Sequence, residues 1–285
     1  MKIIDVHVHF SKVKTLIECA KTMSFVDYSG AGFTAERSAA DIALAICMGT
    51  TEDTFTEADS AESPTPMLGD LEDSLPTNML LSAGINPHRL EDHCLAELEA
   101  KTRAGQFVGY KIYGGYYHFD INDPIYTPVY RLAAEYGMPV SIHTGDTFSE
   151  TALLEYAHPL RVDRLAVNWR DVQFVICHMG SPWVYDATEV AFKNRNVAID
   201  LSGLVLGDAH AVRATTANRF WVERYRQAIE LLNDYSKLMF GSDWPLTPMA
   251  EYVEYIKKMI PENHWQAVFY DNAVRVFRLA ERNLI

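Results

Sequence analysis

Six residues of this chain are of types and in places that do chemistry: His7, His9, Lys111, His143, His178 and Asp243. The first two form a His-x-His pair within Ile4-Asp-Val-His-Val-His-Phe10, whose alternation reads as a strand. Side chains two apart on a strand share a face, with backbone positions about 6.6 Å apart. Two imidazoles so placed converge on one metal ion at about 2.0–2.1 Å from nitrogen. The other four residues each stand within a residue or two of the end of a short apolar run. Three neutral imidazoles and one carboxylate suit a borderline divalent ion such as zinc. An ion with an open position lowers the pKa of bound water to about 7, giving a hydroxide nucleophile, or polarises a substrate oxygen.

The elements that must position these residues follow from the apolar runs. Strands are expected at residues 3–8, 41–47, 79–85, 107–113, 139–143, 172–178, 197–201 and 238–241. Helical spacing fills residues 12–26, 90–104, 125–136 (stopped by Gly137), 161–168, 219–233, 249–259 and 265–282, and residues 189–193 lie in another helix. Gly30 and Gly32 read as a break. Eight strands alternating with helices predict an α/β fold, a closed parallel (β/α)8 TIM barrel forming one domain over residues 1–285. A doubly wound open sheet is disfavoured, because no Gly-rich phosphate fingerprint follows the first strand. Active sites of such barrels lie at the C-terminal ends of the strands, where the six residues stand.

The composition, 48% hydrophobic and 22% charged over 285 residues, is that of an ordinary globular protein. A formal charge of −13 argues against nucleic acid or an anionic membrane as the main partner. Much of that acidity is local: residues 49–78 carry Glu52, Asp53, Glu57, Asp59, Glu62, Asp70, Glu72 and Asp73 and no Lys or Arg. The stretch is too long for a plain connection and is expected to be an acidic insertion on the catalytic face, either mobile or acting as a lid or partner contact, whose deletion leaves the fold intact. Cys19, Cys47, Cys94 and Cys177 form no C-x-x-C pair and read as reduced, buried thiols. No apolar run approaches the ~20 residues of a membrane span, and the first strand leaves no room for a signal peptide. The expectation is a cytoplasmic chain with a small-molecule partner, compatible with a homo-oligomer.

Asp5-x-His-x-His9, Ser141-Ile-His-Thr144, Ile176-Cys-His-Met-Gly180 and Phe240-Gly-Ser-Asp-Trp-Pro245 together resemble the amidohydrolase superfamily. The closer likeness is to its amidohydrolase 2, aminocarboxymuconate-semialdehyde-decarboxylase-like branch, to which His158-Pro-Leu-Arg161 and Asp271-Asn-Ala273 add. The resemblance covers nearly the whole chain apart from residues 49–78. It implies a metal held by His7, His9, His143 and Asp243, with His178 facing substrate as acid/base or electrophile. It also implies one metal, most simply Zn2+, with Lys111 holding a substrate carboxylate. A second metal is expected only if Lys111 is carboxylated, as in the binuclear relatives, where a strand-four lysine so modified bridges the pair.

Trp244 and Pro245 are expected to shape the mouth as substrate-binding residues. If His178 faces the mouth, strand alternation turns its neighbour Cys177 to the helix layer as buried structure. Three functions are compatible with this constellation. The first is a metal-dependent hydrolase of a small ester, lactone or amide, with Asp243 ferrying the proton and His178 stabilising the oxyanion. The alternative is a non-oxidative decarboxylase of a small carboxylated substrate. The third, a non-catalytic ligand-binding barrel, is disfavoured by an intact set of ligands.

Overall fold

The alternating N-terminal run becomes β1 (Ile3–Val8) in a computed structural model of the chain, which describes residues 1–53, 55 and 63–285. It is followed by β2 (Ile42–Met48), β3 (Met79–Gly84), β4 (Gly109–Ile112), β5 (Val140–Ile142), β6 (Phe174–Ile176), β7 (Val197–Asp200) and β8 (Leu238–Met239). The eight form one sheet in sequence order, every neighbouring pair parallel. The sheet closes on itself where the last strand meets the first. There Val6 N donates to Phe240 O (3.0 Å), Asp243 N to His7 O (2.8 Å) and His9 N to Trp244 O (2.7 Å). The fold is the predicted TIM barrel. Among the described residues, no helix is long and apolar enough to cross a membrane.

Alternation along the strands builds two layers of core. Val175, Ala198 and Met239 join Ile4, Val6, Leu44 and Ile46 in one fully packed cluster. Their neighbours Phe174, Ile176, Val197, Ile199, Leu238 and Phe240 belong to the larger cluster shared with the helices. This is the period of two expected of strands. The inner cluster also takes in Ala273, Val276, Phe277 and Leu279, so the C-terminal segment packs onto the filling of the barrel.

Three local expectations are corrected. Gly30 and Gly32 are not a break but open a helix, Gly30–Ala39, because the Ser29 side chain accepts a hydrogen bond from Gly32 N and caps it. Residues 265–282 are not one α-helix: a wide π turn, Ala267–Asp271, precedes the short helix Asn272–Val276. Strands β6 and β8 stop earlier than their apolar runs, at Ile176 and Met239, because the chain there turns into the site.

Within the acidic stretch at 49–78, residues 54 and 56–62 lie outside the described residues. The remainder is tied down beside the barrel mouth. Met67 is fully buried and exchanges backbone hydrogen bonds with Gly84 in both directions at 2.9 Å. Asp70 accepts from Lys12 N at 3.0 Å and Glu72 from Gly30 N at 2.7 Å. Glu52 is buried and accepts from Asn86 Nδ2 at 3.0 Å and from the Tyr117 hydroxyl at 2.5 Å. These described residues are packed and hydrogen-bonded against the barrel.

Candidate active site and metal centre

The site begins with an irregularity in β1. Asp5 pairs with Ala45 and Val8 with Cys47, so β1 has one residue too many between those positions. A bulge of this kind re-aims a side chain, and His7 and His9 both end up lining the cavity. Asp5 braces the bulge from within, its Oδ1 accepting from His7 N (3.1 Å) and Ser242 N (3.0 Å). Burial pushes the Asp5 carboxyl up to about 7 in spite of the hydrogen bonds from Ser242 and His7.

Asp243 and His178 arrive from β8 and β6 on left-handed backbones, with φ of 67° and 58°. Non-glycine residues seldom adopt this region, and such strain concentrates at functional sites. The turn at His178 also corrects the reading of its neighbour. Cys177 continues the inward alternation of Val175, and its Sγ lies 3.2 Å from Lys111 Nζ. It therefore does not face the helices. His178 reaches the mouth because its backbone turns, not because the strand alternation aims it there.

The imidazoles and carboxylates interlock. His7 Nε2 and His9 Nε2 lie 3.6 and 3.2 Å from Asp243 Oδ1. His178 Nδ1 is 3.9 Å from Asp243 Oδ2, and its Nε2 is 3.1 Å from His143 Nδ1. His143 Nε2 faces Asp146 O at 3.0 Å. Behind His7, Asp200 Oδ2 accepts from Nδ1 at 3.0 Å. Ser202 Oγ bridges His7 Nδ1 (3.1 Å) and His178 Nδ1 (2.9 Å). Gly203 makes room at this point: with φ of 64°, any Cβ there would stand 2.8 Å from both Asp243 Oδ2 and His178 Nδ1.

Burial, and after it the charge of Lys111, lowers His7 to about 3, and burial lowers His178 as well. Burial, then the neighbouring His178, holds His143 well below its ordinary value. Each of these three shifts favours the neutral imidazole, the form a metal takes. Burial alone would raise Asp200 and Asp243, but His7 holds the first well below the usual carboxylate range, and His178 and His9 hold the second there.

These residues fit a divalent metal ion. The ligand atoms of His7, His9 and Asp243 lie within 4.8 Å of one another, all buried. His7 Nε2 and Asp243 Oδ1 have no hydrogen-bond partner among the described residues. An orphaned buried donor set of this kind is costly unless something fills it. Two nitrogen or oxygen ligands about 2.1 Å from one ion at the tetrahedral angle stand about 3.4 Å apart, which the 3.2 and 3.6 Å separations bracket. The Asp200–His7 hydrogen bond is the outer support that fixes a ligating imidazole's tautomer.

The profile of the amidohydrolase family matches residues 4–279. The chain belongs to the amidohydrolase family. It falls within the amidohydrolase 2 branch that its motifs resemble, and it is an enzyme. A search of curated proteins finds no match. Among solved structures, 2,6-dihydroxybenzoate decarboxylase from Rhizobium shares the fold at 16% identity and a TM-score of 0.71, over 98% of this chain and 99% of that one. A dihydroxybenzoic acid decarboxylase from Polaromonas, with bound manganese and the inhibitor 2-nitroresorcinol, matches at 16% and 0.70, over 100% and 99%. A probable 2-pyrone-4,6-dicarboxylic acid hydrolase from Acinetobacter baumannii, with citric acid bound, matches at 16% and 0.65, over 98% and 100%.

In this amidohydrolase the cluster opens into a cavity of about 600 Å³. Lys111 lines it while wholly buried. Of the expected residues, the structure brings His7, His9 and Asp243 together and puts His178 beside them. His143 stands one imidazole further out, against His178. Trp244 is displaced from its expected role: it does not line the cavity, and its indole packs against Tyr28 and Phe33 at 5.2 and 5.5 Å between ring centroids. Phe33 belongs to the helix Gly30–Ala39, so the indole sits in the helix layer. Asp200 and Ser202 escaped the sequence reading, although a carboxylate at the end of the apolar run 197–201 is the same signal that marked the others.

Proposed function

We propose that this amidohydrolase is a metal-dependent, non-oxidative decarboxylase of a small aromatic carboxylate. The observation that carries this is Lys111. Its side chain is fully buried at the cavity, 3.2 Å from Cys177 Sγ and 5.3 Å from the centre of the Tyr113 ring. Among the described residues it has no ion-pair partner. A buried charge without a counterion is strongly unfavourable, so the ammonium is arranged for an anion that comes with the substrate. The aromatic walls at Phe55, Tyr113 and Tyr116 suit a flat ring.

In this reading His7, His9 and Asp243, joined by His143, would hold one divalent ion, and their nitrogen-rich donor set suits zinc; the Polaromonas neighbour carries manganese. Bound there, the ion would withdraw electron density from a substrate oxygen. Lys111 holds the carboxylate, and the apolar walls keep water away from the reacting bond. The bond between ring carbon and carboxyl breaks and CO2 leaves with neither oxidation nor reduction. The electron pair left on carbon takes up a proton, which the Asp243–His178 pair relays.

The test is CO2 release from hydroxybenzoates and other aromatic acids by the metal-loaded protein, alongside lactone and ester hydrolysis. Lys111→Gln is expected to weaken carboxylate binding roughly 10- to 100-fold, the worth of a charge-assisted contact. Lactone turnover without CO2 release, or carboxylate binding that survives Lys111→Gln, would return the site to hydrolysis.

A further inference from the structure

A second cation faces the same cavity. Arg224 lies in the helix Arg219–Leu232, remote in sequence from all the motifs, and is half-buried in the cavity wall. Its guanidinium stands 5.7 Å from the centre of the Trp221 ring and 5.2 Å from that of Tyr225. Stacking of this kind holds the planar group in place at little cost to its donors. Of its five N–H donors, one reaches protein: Nη2 donates to Pro182 O at 3.1 Å. No carboxylate among the described residues pairs with it.

Among the described residues, the acids that line the cavity are engaged elsewhere. Asp53 accepts from Thr15 N and faces Lys14, and Asp146 accepts from Thr147 N. Asp243 belongs to the histidine cluster, and Glu52 to the Tyr117–Asn86 network. The cavity therefore presents two cations with no ion-pair partner among the described residues, Lys111 and Arg224, on different strand–helix units of the barrel. One anionic group cannot satisfy both if the first is consumed at Lys111. A free, stacked guanidinium fork matches a carboxylate in two parallel hydrogen bonds.

We propose that Arg224 binds a second carboxylate of the substrate, so that the enzyme selects aromatic dicarboxylates over monocarboxylates. This rests on the reading of the cavity as a carboxylate site, and it makes Arg224 a specificity-determining residue, not a group that touches the reacting bond. The carboxylate at Lys111 is the one lost; the one at Arg224 remains in the product.

The probes are benzoate and benzene-1,3-dicarboxylate, binding to metal-loaded full-length protein measured by calorimetry. The dianion is expected to bind roughly 10- to 100-fold more tightly than the monoanion. Arg224→Gln keeps a donor for Pro182 O and should abolish that preference, whereas Arg224→Lys should retain part of it. Equal binding of the two probes by the unaltered protein, or a preference that survives Arg224→Gln, overturns the assignment. Absence of CO2 release together with an Arg224-dependent preference overturns decarboxylation while upholding the dianion site. Thermal melts of the variants separate lost recognition from lost folding.

Discussion

His178 and Asp243 both reach the mouth on left-handed backbones, a conformation that costs a non-glycine residue on the order of 1–3 kcal/mol. The expense is local, and so is the result: both side chains turn toward the imidazole of His7. Their roles separate on substitution. Asp243→Asn keeps the shape but removes the charge, so it is expected to lose both the metal and turnover, measured by elemental analysis and by rate. His178→Asn is expected to keep the metal and lose roughly 10²–10⁴-fold in rate, as removal of an acid/base or oxyanion donor does. Loss of metal in His178→Asn would make it a ligand; full activity would make it structural. The six candidate residues were legible because titratable side chains are conspicuous at the ends of apolar runs. Trp244 was not, since its motif says nothing of where the ring points. Arg224 was not legible either: an arginine in an amphipathic helix has no pattern to distinguish it, and only the fold shows that Trp221 and Tyr225 hold it at the cavity.

At the scale of elements, hydrophobic period made all eight strands legible, and their order followed from the rule that consecutive parallel strands with helical crossovers lie side by side. Strand ends were less so. Alternation is reliable only along extended chain, which is why the direction of Cys177 was misread across the turn at His178. The extra residue in β1 was equally hidden, because a bulge leaves the apolar pattern nearly intact. The acidic stretch after β2 looked dispensable by composition, yet Met67 sits in it with no exposed surface, packed with Tyr113 and Tyr117. Met67→Ala is accordingly expected to destabilise the protein by about 2–5 kcal/mol, as large-to-small changes in a core do. The measurement is the urea midpoint at unchanged slope. A midpoint within experimental scatter of the parent would mean that this segment is held by its backbone alone.

On the scale of the whole molecule, the closure of the barrel and the metal centre are the same place. The seam between β8 and β1 is made by His7 O, His9 N, Asp243 N and Trp244 O, and the side chains of three of those residues converge as candidate ligands. An ion bound there would be a rivet through the join between the first strand and the eighth. Binding that requires the closed barrel stabilises it by mass action. Chelation is therefore expected to lower the melting temperature and to speed amide exchange at His9 and Asp243, while the amides of β3 to β6 stay protected. Uniform loss of protection would spread the effect over the barrel; no loss would uncouple ion from seam. The order of synthesis adds a constraint. Ligands separated by more than 230 positions in the chain cannot meet until β8 has been made, and contacts this distant in sequence form late and slowly. A nascent chain carries His7 and His9 through more than 230 further residues of synthesis before it gains the carboxylate that completes the group, so a site built from all three forms only once β8 is in place.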